Sequence, residues 1–197
     1  MPPTPRSQLE VIYRQLGRSS GFRGFTPAFL LIVAAVAAAA TAVIGLATAE
    51  QPLRVVAAAW TGTGTAIAAL VALAVLVPEV RSDSGIRREA ANATAIQMAF
   101  PLATGLAVTV AIVARHPSGV VYLPAVWLAL FGLGVAGLAG LMRERVEYAA
   151  AFYLAAAAAA YFLEPARPST FSLAVGMPFT VGHALTAALL RSKEEAR

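Results

Sequence analysis

Apolar runs without charge alternate with short charged connections along most of the chain. Six of the runs are long enough to predict membrane spans, because a helix needs about 20 apolar residues to cross a bilayer. The fifth run is the shortest, and we expect its helix to extend back to Val146. The pattern predicts an all-α integral membrane protein, a bundle of six transmembrane helices, with spans at 24–49, 55–78, 90–114, 117–142, 148–163 and 168–190.

The connections between the spans are too short to form a second domain. We therefore predict residues 1–23 as a cytoplasmic N-terminal segment, 24–190 as the transmembrane domain and 191–197 as a cytoplasmic tail. In the N-terminal segment, apolar side chains that share one helical face predict a short amphipathic helix at the membrane interface. The first span is longer than the roughly 7 to 15 residues of a signal-peptide core, so we expect it to remain uncleaved.

The basic residues are distributed unequally between the two sides of the predicted bundle. Twelve lie on the side of the termini, and three lie on the other side. Cytoplasmic loops carry an excess of lysine and arginine, so this bias predicts an inner-membrane protein with both termini in the cytoplasm. The three on the other side are Arg54, Arg115 and Arg167, and the twelve are Arg6, Arg14, Arg18, Arg23, Arg81, Arg87, Arg88, Arg143, Arg145, Arg191, Lys193 and Arg197.

Composition agrees with the span pattern and narrows the chemistry. The chain is 59% hydrophobic and 13% charged, with a mean hydropathy of +0.73. It has no cysteine, which excludes disulfides, thiolate metal sites and thiol catalysis. The net charge of +5 is explained by membrane orientation, so we expect the lipid bilayer as a partner and no direct nucleic-acid partner.

A run of threonines and glycines, WTGTGT, lies in the second span. A phosphate loop would need a lysine after the last glycine, and an ion filter would need a re-entrant loop, for which this span is too short. We interpret the run as continuous helix that packs against a neighbour through Thr61, Gly64 and Ala68, with each threonine hydroxyl bonding the carbonyl four residues back. The alternative is a locally unwound helix that exposes carbonyls to a ligand. Gly132 and Gly137 predict a second packing face in the fourth span.

Few polar side chains lie within the predicted spans. His183, Gln97, Asn92 and Thr104 are therefore the candidates for ligand contacts or for interhelical hydrogen bonds. We expect His183 to face protein, with Thr104, Gln97 or a backbone carbonyl as its partner. His116 falls at the opposite end of the bundle, so the two histidines are not expected to share a metal or a haem. The sequence predicts no cofactor and leaves any ligand unknown.

The polar residues do not form a catalytic set. An intramembrane serine protease needs a serine and a histidine at one depth, but Ser172 and His183 are predicted at different depths. A lipid phosphatase would need arginine, lysine and histidine on one face, and the spans lack this combination. We therefore do not expect an enzyme.

The third and sixth spans contain the same pattern of proline, glycine and threonine at intervals of four residues. Because three spans separate the halves, equivalent helices would run in opposite directions, as in transporters built from inverted repeats. The pattern predicts two inverted three-helix repeats related by a pseudo-two-fold axis. Its residues are Pro101, Gly105 and Thr109 in the third span and Pro178, Gly182 and Thr186 in the sixth.

Four further stretches of the sequence are distinctive: GFTPA at 24–28, FPLATGLAVT at 100–109, LPAVWLALFGLGV at 123–135 and the Gly182-His183 pair. Together they resemble a family of uncharacterised six-span bacterial membrane proteins. Members of this family are often encoded beside a winged-helix transcription regulator. The resemblance implies the fold of six transmembrane helices and no particular activity.

Two functions are compatible with these patterns. The first is a sensor, scaffold or accessory membrane component without a catalytic centre, acting alone, as a homo-oligomer or in a larger membrane complex. The second is a small transporter or channel with an inverted-repeat bundle. A polar cavity near the middle of the membrane would favour transport, and a solid core of alanine and glycine would favour the accessory component.

Overall fold

The structure is a computed structural model that describes residues 25–81, 85–138 and 146–194. Within these ranges the protein is helical, and six helices are long and apolar enough to cross a membrane. The prediction of an all-α, multi-pass membrane protein is thereby confirmed. The helices are α1 (Pro27–Ala47), α2 (Leu53–Val80), α3 (Gly85–Arg115), α4 (Leu123–Leu138), α5 (Val146–Leu163) and α6 (Pro168–Glu194).

The helix bounds agree with the predicted spans to within a few residues. α5 begins at Val146, as expected, and α3 begins at Gly85 because its charged first turns continue the helix beyond the apolar run. α4 is preceded by a 3-10 helix, Pro117–Tyr122, that occupies the start of the predicted fourth span. The amphipathic helix predicted within residues 1–23 and the end of the predicted tail lie outside the described residues.

Proline and threonine fix the first turns of two spanning helices. Pro27 stands in the first turn of α1, where a missing N–H costs nothing, and the Thr26 hydroxyl accepts a hydrogen bond from the Phe29 amide at 3.2 Å. Pro168 starts α6 in the same way, and the Thr170 hydroxyl accepts a hydrogen bond from the Arg167 amide at 3.2 Å. These caps satisfy backbone groups that hydrocarbon would leave without a partner.

The helices alternate in direction along the bundle. A cluster of buried side chains joins the last turns of α1 to the first turns of α2, α4 and α6, among them Ile44, Val56, Leu123 and Phe171. We call this the connection end, and the end at which α1 begins and α6 ends the terminal end. Two tryptophans lie between the middle of the bundle and the connection end. The Trp60 indole donates to the Ser172 hydroxyl at 3.3 Å, and the Trp127 indole donates to the Thr109 hydroxyl at 2.8 Å.

Glycines allow close contact between several helix pairs. A Cβ added at Gly132 of α4 would lie 3.1 Å from the Tyr153 Cβ of α5, so the predicted packing at Gly132 is confirmed. A Cβ added at Gly137 would meet the Gln97 side chain of α3, which confirms the packing role predicted for Gly137. Between α1 and α6, a Cβ at Gly176 would meet the Thr41 side chain.

The two helices of the predicted inverted repeat share one local hydrogen bond, which threonines outside the repeat such as Thr41 and Thr61 also make. The Thr109 hydroxyl donates to the Gly105 carbonyl at 2.7 Å in α3, and the Thr186 hydroxyl donates to the Gly182 carbonyl at 2.7 Å in α6. The two glycines have different surroundings. Gly105 contacts α4, whereas a Cβ at Gly182 would meet the Tyr153 ring of α5. The repeat and its pseudo-two-fold axis therefore remain a prediction.

α2 packs less closely than the other spanning helices. Val56, Ala57 and Trp60 are buried near the connection end, but no residue of 61–74, all of them described, is buried. Leu73 in the following π-helical segment, Ala72–Leu76, is 65% exposed. Val75 is buried again farther along the helix, so a space remains between the middle of α2 and its neighbours.

Candidate ligand-binding site

The WTGTGT run is continuous helix, as predicted. Leu53–Val71 is α-helical throughout, the Thr61 hydroxyl donates to the Ala57 carbonyl at 2.8 Å, and the Thr65 hydroxyl donates to the Thr61 carbonyl at 2.8 Å. The alternative of locally unwound backbone is wrong. The main part of the interpretation, close packing at Gly64, is also wrong within this chain, because a Cβ added there would meet no atom within 4 Å.

The physical reason is the course of α2. Small residues permit a close approach only if the helix axes converge, and α2 has no buried residue between Trp60 and Val75. Thr61, Gly64 and Ala68 therefore form one wall of a cavity instead of a helix interface. The absence of side-chain volume at Gly64 widens this cavity.

The cavity has a volume of about 510 Å³ and lies between five of the spanning helices. α1, α2, α3, α4 and α6 contribute to its lining, and α5 does not. It extends from Phe25 at the terminal end to Trp60 and Thr109, nearer the connection end. Most lining side chains are alanine, valine, leucine, isoleucine, methionine or phenylalanine, so the interior is apolar.

His183 is the one ionisable side chain that lines the cavity, within the described part of the chain. It lies on α6 about 12 Å from Arg191 at the helical rise, well inside the span. The ring is surrounded by aromatic side chains, with ring centroids 5.7 Å from Phe131 and 6.1 Å from Phe179. Among the described residues, the cavity therefore has a single ionisable position, and it lies against an aromatic wall.

Two groups contact the same ring nitrogen of His183. Nδ1 lies 2.7 Å from the Phe179 carbonyl oxygen and 3.0 Å from the Tyr153 hydroxyl oxygen. The expectation that His183 faces protein and bonds a backbone carbonyl is confirmed. Its side-chain partner is Tyr153 instead of Thr104 or Gln97. Tyr153 is 1% exposed, and it was missed because it lies 30 residues away on the alanine-rich α5.

A polar side chain amid the alanines of the fifth span was the signal in the sequence that could have identified Tyr153. A buried phenol in hydrocarbon needs a hydrogen-bonding partner, and few such partners exist in the predicted spans. The sequence offers no means of choosing His183 among them, because that choice depends on how α5 and α6 are rotated.

The other candidate residues lie outside the cavity. Gln97 is exposed and its side chain lies over Gly137. Asn92 and Thr104 are also exposed on α3, and neither lines the cavity. His183 is therefore the candidate that the structure places at a site able to receive a ligand.

The described residues contain no group of three histidines or carboxylates close enough to hold a metal ion.

One carboxylate has an unusual position near the terminal end of α2. The Oε2 atom of Glu79 is buried and has no hydrogen-bond partner in the described part of the chain. Glu79 does not line the cavity.

Comparison of the chain with protein-family models, with the curated proteins and with the solved structures gave no match.

Proposed function

We propose that this protein is a multi-pass membrane sensor or accessory component that holds an apolar molecule from the bilayer in the cavity beside α2. The observation that carries the proposal is the cavity itself, about 510 Å³ with a mostly apolar lining and His183 as the one ionisable side chain among its described residues. Small-molecule sites are typically about 300–1,000 Å³, mostly apolar, with few polar groups that fix orientation.

The lining favours ligand binding over the transport of ions or polar solutes. A polar solute would need hydrogen-bonding partners along its path, and the lining threonines bond carbonyls of their own helices. An apolar molecule needs no such partners. It is also concentrated in the surrounding hydrocarbon, from which it reaches the cavity without crossing water.

α2 is the element suited to report on the occupant. It forms a wall of the cavity, it has no buried residue between Trp60 and Val75, and it contains the π-helical segment Ala72–Leu76. Such segments occur frequently at functional sites because the extra residue per turn weakens the regular ladder. An occupant that contacts Gly64 and Ala68 changes the free energy of moving this helix, which is the physical requirement for sensing.

The orientation follows from the charge bias and belongs to the same proposal. Both termini lie in the cytoplasm of an inner-membrane protein, so the terminal end of the cavity is cytoplasmic. A movement of α2 is then transmitted to the cytoplasmic connection after Val80. A second copy of the protein or a larger membrane complex would bind there and respond to the movement. The proposed resemblance to six-span bacterial membrane proteins is compatible with this role.

The experiment uses two leucine substitutions on α2. Gly64→Leu introduces a branched side chain into the cavity, whereas Gly62→Leu is a matched control, since Gly62 also has no atom within 4 Å of an added Cβ but does not line the cavity. Native mass spectrometry of protein released from its own membranes should show a bound apolar molecule with wild type and Gly62→Leu. Gly64→Leu should lose it. Equal retention by both variants, or no bound molecule in wild type, would contradict the proposal.

A further inference from the structure

Among its described residues, the cavity wall offers hydrogen-bond acceptors but no free donor, and from this we infer that the ligand is a neutral amphiphile whose hydroxyl group donates to Nε2 of His183. The inference rests on the proposed function, because it names the chemical class of the occupant. It depends on where each polar proton in the cavity wall is directed.

The hydroxyl protons of the lining threonines are all directed into the protein. Thr61 and Thr65 donate to carbonyls of α2, and Thr94 donates to the Ala90 carbonyl at 2.8 Å in α3. Thr109 donates to the Gly105 carbonyl at 2.7 Å. A hydroxyl that donates in this way keeps only lone pairs for a ligand.

The indole N–H groups of the two lining tryptophans also donate hydrogen bonds within the protein. The Trp60 indole N–H donates to Ser172, and the Trp127 indole N–H donates to Thr109. Backbone N–H groups of the lining helices are occupied in the helical ladder, and Pro101, which also lines the cavity, has none. The wall therefore presents acceptors to any occupant.

The tautomer of His183 follows from its contact with Phe179. A carbonyl oxygen only accepts, so the 2.7 Å distance from Nδ1 to the Phe179 oxygen places the ring proton on Nδ1. The Tyr153 hydroxyl oxygen, 3.0 Å from the same nitrogen, is then a second acceptor for that proton. In the neutral ring Nε2 carries a lone pair.

Nε2 has no hydrogen-bond partner among the described residues. The buried side-chain atom without a partner in this part of the chain is Oε2 of Glu79, so Nε2 is not a fully buried atom. Since His183 lines the cavity, this nitrogen is available to an occupant, and an imidazole nitrogen is a more basic acceptor than the hydroxyl oxygens of the lining threonines. An ether or a ketone has no proton to offer to it. A protonated amine could donate, but no carboxylate among the described lining residues would balance its charge. A neutral hydroxyl group has a proton to donate and carries no charge that the lining would have to balance.

The cavity carries its own reporters for a test. The chain has two tryptophans, Trp60 and Trp127, and both line the cavity. A bromine atom quenches indole fluorescence on contact, so ω-bromodecanol and its methyl ether can be titrated into nanodiscs that contain the protein. Affinities are expressed as mole fractions of each probe in the bilayer. This removes the difference between the alcohol and the ether in partitioning from water into the bilayer.

Wild type should bind the alcohol about three- to tenfold more tightly than the ether, the ratio expected for one neutral hydrogen bond. His183→Phe should bind both with equal affinity, and His116→Phe, a control at the connection end, should keep the preference. Saturable quenching with equal affinities in wild type would overturn the donor inference while leaving the proposed function intact. No saturable quenching by either probe would overturn the proposed function itself.

A second measurement does not depend on whether His183→Phe folds. Nitrogen-15 spectra of histidine-labelled wild-type protein should show an unprotonated Nε2 for His183, shifted by the alcohol and unaffected by the ether. A proton on Nε2 would refute the inference, because the cavity would then contain a donor and would select an acceptor.

Discussion

Replacing Gly176 with alanine tests the contact between α1 and α6. A Cβ at this position would meet the Oγ1, Cβ and Cγ2 atoms of Thr41 on the facing helix. Thr41 is 8% exposed, and its hydroxyl is held by a 2.7 Å hydrogen bond to the Ala37 carbonyl, so the side chain has little space to move. We expect the helices to separate or the threonine to leave its rotamer.

The size of the effect follows from a matched substitution in the same interface. Gly45→Ala would place a Cβ 3.7 Å from the Cβ of Ser172, which is an ordinary van der Waals contact. Both variants gain the higher helix propensity of alanine, about 1 kcal/mol in soluble helices, so the difference between them isolates the clash. Overpacking of a close interface costs about 1–3 kcal/mol, and we expect Gly176→Ala to be less stable than Gly45→Ala by this amount.

The assay is reversible unfolding in mixed micelles, followed by far-ultraviolet circular dichroism. A double variant tests this mechanism: Thr41→Gly removes all three atoms that the new Cβ would meet, so Gly176→Ala should cost little stability in a Thr41→Gly background. The coupling free energy between the two sites should therefore be about 1–3 kcal/mol. Equal stabilities of Gly176→Ala and Gly45→Ala, or additive effects in the double variant, would refute this account of the interface.

Two further predictions concern orientation and the tryptophan contact. Reporter domains fused at Arg197 and inserted at Ser118 should report cytoplasm and exterior respectively, because of the charge bias, and an exterior signal from Arg197 would reverse the proposed orientation. Thr109→Val removes the acceptor of the Trp127 indole at nearly constant volume, and it should cost about 1 kcal/mol of unfolding free energy and shift the tryptophan emission. An unchanged emission spectrum would show that Trp127 does not depend on this bond.

The length of each apolar run was sufficient to predict the spanning helices, because hydrocarbon permits few other backbone structures. Local hydrogen bonds were equally accessible to prediction. The threonine hydroxyls of α2 and the Nδ1 atom of His183 bond carbonyls four residues back, at a spacing fixed by the helix itself. These features depend on neighbours in sequence and not on how the helices assemble.

The cavity depended on assembly and could not be predicted from the same pattern. A glycine at position 64 shows only that side-chain volume is absent, and the space is filled by a neighbour or left open according to the course of the helix. The buried positions of α2 lie elsewhere, at Val56, Ala57 and Trp60 on one side of the cavity and at Val75 on the other. The sequence therefore identified Thr61, Gly64 and Ala68 as a face of small residues, but it did not show that this face lines a cavity.

The central claim is that the cavity beside α2 holds an apolar molecule whose polar group meets His183. An experimentally determined structure of the protein in lipid nanodiscs, with no ligand added, tests it most directly. The account predicts elongated density along Gly64 and Ala68, ending in hydrogen-bonding distance of Nε2. A structure in which α2 packs against the bundle at Gly64 and closes the cavity would contradict it.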